Sequence, residues 1–192
     1  MYGIGGKMLK IHFVTGNAGK WEIAKDIFAK YGLELIQTNM ETPEIQSTDV
    51  KEVAAYSARY AAQKLNAPVI KSDVGYYITA LNGFPGPFIK YINGMLSSED
   101  LLHLMKGVEN RSMIIRECLA FATPASLTKC LTHEQQTILA TKAEGTGSSI
   151  DKIMILDGFT KTRGACTKEE VAEFWKKSLT LYHDMAQFLK DK

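Results

Sequence analysis

The stretch that most constrains this chain is Ile11-His12-Phe13-Val14-Thr15-Gly16-Asn17-Ala18-Gly19-Lys20-Trp21. An apolar, β-branched run ends at Val14, Gly16 and Gly19 follow, and a run with helical character opens at Lys20. That order predicts a short buried strand, a tight turn and the first turn of a helix. Glycine supplies the backbone angles such a turn demands. The helix start leaves N–H groups pointing outward, where an anion is favoured. Thr15 and Asn17 add hydrogen-bonding side chains and Lys20 adds positive charge. Thr15, Gly16, Asn17 and Lys20 are therefore the candidate residues for binding a phosphate chain. A P-loop needs four residues between its glycines and a Ser or Thr after the Lys. In this chain two residues separate Gly16 from Gly19, and Trp21 follows Lys20. The dinucleotide fingerprint fails on spacing too. The alternative reading is a plain strand-to-helix turn with a surface lysine.

The rest of the chain predicts an α/β protein. Strands are expected over 33–37, 69–71, 112–123, 129–141 and 152–156. Helices are expected over 20–31, from Asp49 to about 65, over 98–104, and as one terminal helix from Thr167 to about 189. Asp49 with Glu52 and Thr167 with Glu170 have the spacing of capping boxes. Two prolines and two glycines between Gly83 and Pro87 predict a loop of fixed shape. The order is βαβα, then a central hairpin, then strand and helix. It implies a mixed β-sheet with flanking helices and two lobes around a central cleft. A length of 192 residues suits one domain over 1–192, with glycine-rich residues 1–7 as an extension ahead of Met8.

Charge and composition exclude several function classes. A net charge of +2 gives no global electrostatic case for nucleic acid or a membrane surface as partner. No apolar stretch reaches transmembrane length, and the N-terminus lacks the apolar core of a secretion signal. Cys118, Cys130 and Cys166 match no metal-ligand spacing and suggest reduced thiols in a cytoplasmic protein. His12, His103, His133 and His183 lie far apart, which argues against a zinc site or a Cys–His nucleophile.

Two carboxylates then stand out. Glu44 sits in a polar loop, and Asp73 sits at the expected end of a strand. Two acids on separate elements beside an anion-binding turn suit Mg²⁺, which takes a few carboxylate oxygens together with water and substrate phosphate. Singly, Glu44 also reads as a solvated loop residue and Asp73 as a turn former.

Four segments carry a resemblance: Val14-Thr15-Gly16-Asn17-Ala18-Gly19-Lys20, Thr42-Pro43-Glu44-Ile45-Gln46, Ser72-Asp73-Val74-Gly75, and Leu81-Asn82-Gly83-Phe84-Pro85-Gly86-Pro87-Phe88-Ile89-Lys90. In this order, across nearly the whole chain, they resemble the inosine/xanthosine triphosphate pyrophosphatase family. The resemblance implies an elongated α/β fold around a nucleotide cleft and a homodimer. It implies Mg²⁺-dependent hydrolysis of nucleoside triphosphates, chiefly those with deaminated purines, to monophosphate and pyrophosphate. Carried over by position, Thr15, Asn17 and Lys20 would hold the triphosphate, Lys20 as a catalytic residue as well. Glu44 would bind Mg²⁺, and Asp73 would serve metal and water activation. Lys90 would face phosphate or the dimer seam, which an exposed apolar patch around Phe88 and Ile92 would mark. Asp151 would belong to the base pocket.

The departures are specific. Ser72 stands where the family has the first acid of a pair. Ser148, Ser149 and Ile150 replace aromatics of the base-pocket segment, and Lys152 replaces its proline. A family lysine on the second helix falls near Ser57, one helix step from Arg59. Trp175-Lys176-Lys177 replaces Ser-His-Arg on the last helix. Trp175 would stack on a base or pack in the core; Lys176 and Lys177 would reach substrate or form a solvated helix face. The phosphate half looks intact and the base half rewritten. That leaves open a changed base preference, or a catalytically weak nucleotide-binding protein.

Overall fold

In a computed structural model of the chain, residues 10–192 are described. The expected extension over residues 1–7 lies outside them. Strand β1 (Lys10–Val14) pairs in parallel with β2 (Glu34–Thr38) on one side and with the start of β3 (Val69–Ile78) on the other. The parallel pairings need crossovers. Helix α1 (Ala18–Lys30) makes the first and α2 (Val50–Leu65) the second. β3 pairs antiparallel with β5 (Ser112–Ala122), which forms a hairpin with β6 (Leu127–Leu139). β7 (Met154–Leu156) closes that end, and β4 (Pro85–Gly86) pairs with the far end of β3. The sheet order is β2-β1-β3-β5-β6-β7. At about 3.4 Å per residue, the 13 residues of β6 reach roughly 44 Å, so the sheet is elongated.

Strand alternation sets which helix covers which face. Ile11, Phe13, Ile70, Leu119 and Phe121 point to one side, into a core with Ile27 and Phe28 of α1 and with Tyr182, Met185 and Leu189 of α6 (Leu181–Lys190). Val14, Val69, Cys118, Ala120 and Ala122 point to the other, against Val50, Ala54, Ala58, Ala61 and Ala62 of α2. Four alanines on one helix face let α2 lie close to the strands. A separate core at the far end joins Ile78, Met113, Ile115 and Leu139 to Leu101 of α4 (Ser98–Leu104), Ile89 of α3 (Ile89–Met95) and Ile150, Ile153, Met154 and Leu156. Two cores thus cover opposite faces of the near end of the sheet, and a third covers its far end.

Four local expectations change. β3 does not stop at Lys71: ten residues of β5 pair along it to Ile78, so Asp73 sits mid-strand. Gly75 permits this, because a Cβ there would lie 2.7 Å from the ring of Tyr77, which folds back over it. The terminal helix is two helices. α5 (Lys168–Ser178) ends at Leu179, with φ −90° and ψ 75°, and α6 follows. Phe174 packs on the far core while Leu179 and Tyr182 pack on the near one, and one straight helix cannot serve both. β7 begins only at Met154, because Ile150 accepts turn bonds from Ile153 and Met154. Asp49 does cap α2, but the reciprocal partner differs: Glu52 accepts from Ser47 Oγ at 2.6 Å. The Thr167–Glu170 capping box forms as expected.

Candidate active site

β1 is half the length of β3, and that difference opens the site. β1 pairs with β3 only at Val69 and Ile70, and β4 joins β3 only from Tyr76. The β3 edge over residues 71–75 is therefore unpaired beside the C-terminal end of β1, where ligands bind in open α/β sheets.

On one face of β3 lies a cavity of about 750 Å³. Its floor is Val74 and Tyr76 of β3, Ile115 and Glu117 of β5, and His133 and Gln135 of β6. Asn17, Gly19 and Lys20 at the start of α1 form one wall; Arg163, Trp175 and Lys176 stand on another. Asn17 caps α1, its Oδ1 accepting from Lys20 N at 3.0 Å. Thr15 Oγ1 accepts from Asn17 N at 3.1 Å. Thr15 and Gly16 thus shape the turn but are not part of the cavity lining. Lys20 Nζ donates to Ser72 Oγ at 2.8 Å and lies 3.2 Å from Glu117 Oε1. Glu117 Oε1 also accepts from Ser72 Oγ and, at 3.0 Å, from Tyr182 OH. Burial and the neighbouring Glu117 charge push the Tyr182 hydroxyl well above the ordinary tyrosine range, so it stays a donor.

On the opposite face a second cavity, about 490 Å³, is lined by both Glu44 and Asp73, with Phe84, Phe88, Tyr91 and Ile92. Glu44 accepts from Lys90 Nζ at 3.4 Å and from Tyr91 OH at 3.2 Å. Its loop is tied to α2 where buried Ser57 Oγ donates to the Pro43 carbonyl at 3.4 Å. Arg59, one step along, faces solvent. Burial raises the Asp73 carboxyl above its ordinary value; Lys71 and Lys20 pull it down and Glu44 pushes it up. Burial likewise lowers Lys71, against the pull of Asp73. Glu44, Asp73, Lys20, Lys71 and Lys90 therefore lie within electrostatic reach of one another, around the open edge of β3. Among the described residues no group of three or more His, Cys, Asp or Glu could cage a metal. Two carboxylates lining one cavity still fit Mg²⁺, which leaves its other positions to water and substrate phosphate.

The remaining candidates separate. Asp151 is not on a cavity wall. It pairs with Arg163 Nη1 and accepts from Ser148 N at 3.1 Å. It positions Arg163, which is on the wall. Gly164 must be glycine, because a Cβ would lie 2.6 Å from the Thr146 carbonyl. Trp175 packs against both cores, as its core reading expected, and also lines the cavity. Lys176 lines the cavity. Lys177 does not; it pairs with Glu173 at 3.1 Å on an exposed face. His133 Nε2 and Arg163 Nε are buried without a hydrogen-bond partner among the described residues, and both side chains border the large cavity.

Sequence reasoning missed Lys71, Glu117 and Arg163. The available signal for Glu117 was a charge between Ile115 and Leu119 at inward strand positions. For Lys71 it was its position two residues before Asp73, which puts both side chains on one face of a strand.

Comparison with known proteins agrees with this fold. The Ham1 family model matches residues 11–180. A dITP/XTP pyrophosphatase of Methanopyrus kandleri is 38% identical over 163 residues, 84% of this chain and 87% of that protein. One from Thermococcus kodakarensis is 31% identical over 184 residues, 95% of this chain and 98% of that protein. Among solved structures, the Staphylococcus aureus Ham1 protein superposes with a TM-score of 0.76 at 24% identity, covering 95% of this chain and 98% of its own. A HAM1 protein from Coxiella burnetii superposes with a TM-score of 0.78 at 20% identity, covering 96% of this chain and 100% of its own.

Proposed function

We propose that this chain, which belongs to the Ham1 family, hydrolyses nucleoside triphosphates to monophosphate and pyrophosphate, acting on non-standard purine nucleotides such as dITP and XTP. The observation that carries the reading is the convergence of Glu44 and Asp73 on one cavity, with Lys20, Lys71 and Lys90 in electrostatic reach. Glu44 and Asp73 would hold Mg²⁺. When bound, the ion would neutralise phosphate charge and polarise the phosphoryl oxygens. Asp73 orients the attacking water and takes its proton. Burial raises its carboxyl toward the working pH, which makes it a better acceptor of that proton. The water oxygen forms a new P–O bond as the α–β anhydride breaks, and the charge left on pyrophosphate meets Lys20 and Lys90. Asn17 and the N–H groups opening α1 bind the phosphate chain. The base lies in the larger cavity against Trp175, Lys176 and the Arg163–Asp151 pair.

The same reading assigns the chain as one domain and as a cytoplasmic homodimer. Phe88 and Ile92, expected to mark a subunit seam, are only half-exposed and line the second cavity. Tyr91 and Met95 of α3 are the exposed side chains there that would suit a seam, and no helix among the described residues is long and apolar enough to cross a membrane. Neither nucleic acid nor membrane is a partner. The test is a panel of nucleoside triphosphates with pyrophosphate release measured with and without Mg²⁺. Mg²⁺-dependent turnover of dITP or XTP is the expected result, and tight binding without turnover would refute it. One feature favours a second reading, a changed base preference: Trp175 and Lys176, on the cavity wall, stand where the resemblance puts two of the family's base readers. It expects the panel to show a different best substrate with the same products.

A further inference from the structure

Glu117 is the one charged residue classed as buried among the described residues, and the reaction above does not use it. A buried ion pair is a poor device for stability alone, since an apolar replacement of similar shape often serves as well. Its surroundings suggest another task. Lys20 Nζ carries three donors. One goes to Ser72 Oγ at 2.8 Å and one toward Glu117 Oε1 at 3.2 Å, which leaves a third for the cavity that Lys20 and Glu117 both line. Glu117 is itself held from two further directions, by Ser72 Oγ on β3 and by Tyr182 OH on α6. Three elements thus fix one carboxylate, and that carboxylate fixes the ammonium.

We propose that Glu117 is a positioning residue, whose buried carboxylate, clamped by Ser72 and Tyr182, holds the Lys20 ammonium in the geometry that meets the triphosphate. This rests on the pyrophosphatase reading for its kinetic consequence but not for the clamp itself. Ser72 and Glu117 are diagonal neighbours on one face of adjacent strands, since Ser72 pairs with Leu119 and Val74 with Glu117. Hydroxyl and acid can therefore trade strands and still bracket Lys20.

The experiment uses the full chain and three variants: Glu117→Gln, Glu117→Ser and the exchange Ser72→Asp with Glu117→Ser. Thermal melts select the folded ones. In wild-type protein labelled with ¹³C-lysine, the two Hε protons of Lys20, assigned by loss in Lys20→Arg, are expected to be inequivalent because the side chain is held. They average to one signal in Glu117→Gln and separate again in the exchange variant. With dITP as substrate, Glu117→Gln is expected to lower kcat about tenfold or more with KM within about threefold. The exchange variant should recover to within about fivefold of wild type, and Glu117→Ser alone should not. A Lys20 signal unchanged by Glu117→Gln overturns the clamp, whatever the turnover. Wild-type kcat in folded Glu117→Gln overturns its kinetic role. Wild-type protein that turns over no nucleotide refutes the pyrophosphatase reading and leaves the lysine spectra to decide the clamp.

Discussion

Tyr182→Phe removes one oxygen from the least exposed part of the molecule, and its effect follows from its partners. The ring is fully buried and meets Phe13 edge-on at 6.1 Å, a contact phenylalanine keeps. The hydroxyl gives one hydrogen bond, to Glu117 Oε1 at 3.0 Å. A bond to a charged group contributes about 1.5–3 kcal/mol. Glu117 keeps Ser72 and Lys20 after the change, so the lower end, about 1.5 kcal/mol, applies. For a chain of this size about 1 kcal/mol moves Tm by roughly 2–4 °C, so Tyr182→Phe should melt about 3–6 °C lower. Urea unfolding should show a lower midpoint with the slope unchanged, the sign of altered stability without altered compactness. Tyr31→Phe is the control. Its hydroxyl meets His183 Nδ1 at 3.3 Å in a half-buried setting, and its loss should cost less than about 0.5 kcal/mol. Equal melting of Tyr182→Phe and wild type, or equal shifts in the two variants, would refute the claim that a charged, buried carboxylate sits against this hydroxyl.

Asp73→Asn should cut turnover by about 10³-fold while stabilising the fold at neutral pH. Burial raises the Asp73 carboxyl above 3.8 even after the pull of Lys71 and Lys20. Its ionisation therefore disfavours the folded state, by nothing below pH 3.8 and progressively more as pH rises through the raised value. Melts near pH 3.5 should coincide, and near pH 7.5 the variant should melt higher; the reverse order would show a carboxylate that stabilises the fold. Lys177→Ala should leave KM within about twofold of wild type, because the side chain is solvated and paired with Glu173, whereas Lys176→Ala should raise KM. Arg163→Met strips Asp151 of its cation and should cost about 2 kcal/mol in urea unfolding, between exposed and buried pairs, with a raised KM for the preferred nucleotide.

What the sequence made legible was local. The strand and helix over residues 11–25 rest on neighbouring residues alone, as does the Thr167–Glu170 box, and these form as read, although the helix opens at Ala18, takes in Gly19, and neither Gly16 nor Gly19 adopts a positive φ. What stayed hidden was set by residues far away in the chain. β3 extends to Ile78 because β5, some forty residues on, pairs with it throughout. The last helix breaks at Leu179 because its two halves answer to different cores. Lys177 looked equivalent to Lys176 as one of two adjacent lysines, yet adjacent helical positions point about 100° apart, and only Lys176 reaches the cavity.

The same distinction explains why the two acids could be found and the third could not. Glu44 and Asp73 belong to short segments with recognisable neighbours. Glu117 becomes visible only when β5 is laid against β3 in register, which brings it diagonal to Ser72 and under Lys20. A hydroxyl cannot neutralise Lys20, so in a partly buried site the charge must be met from another strand. Ser72, read alone, looks like a loss from the site. Read with Glu117 it is one part of a clamp, its hydroxyl accepting from the lysine and donating to the acid. A departure at one strand position therefore says little about lost function until the residues on the facing strand have been read with it.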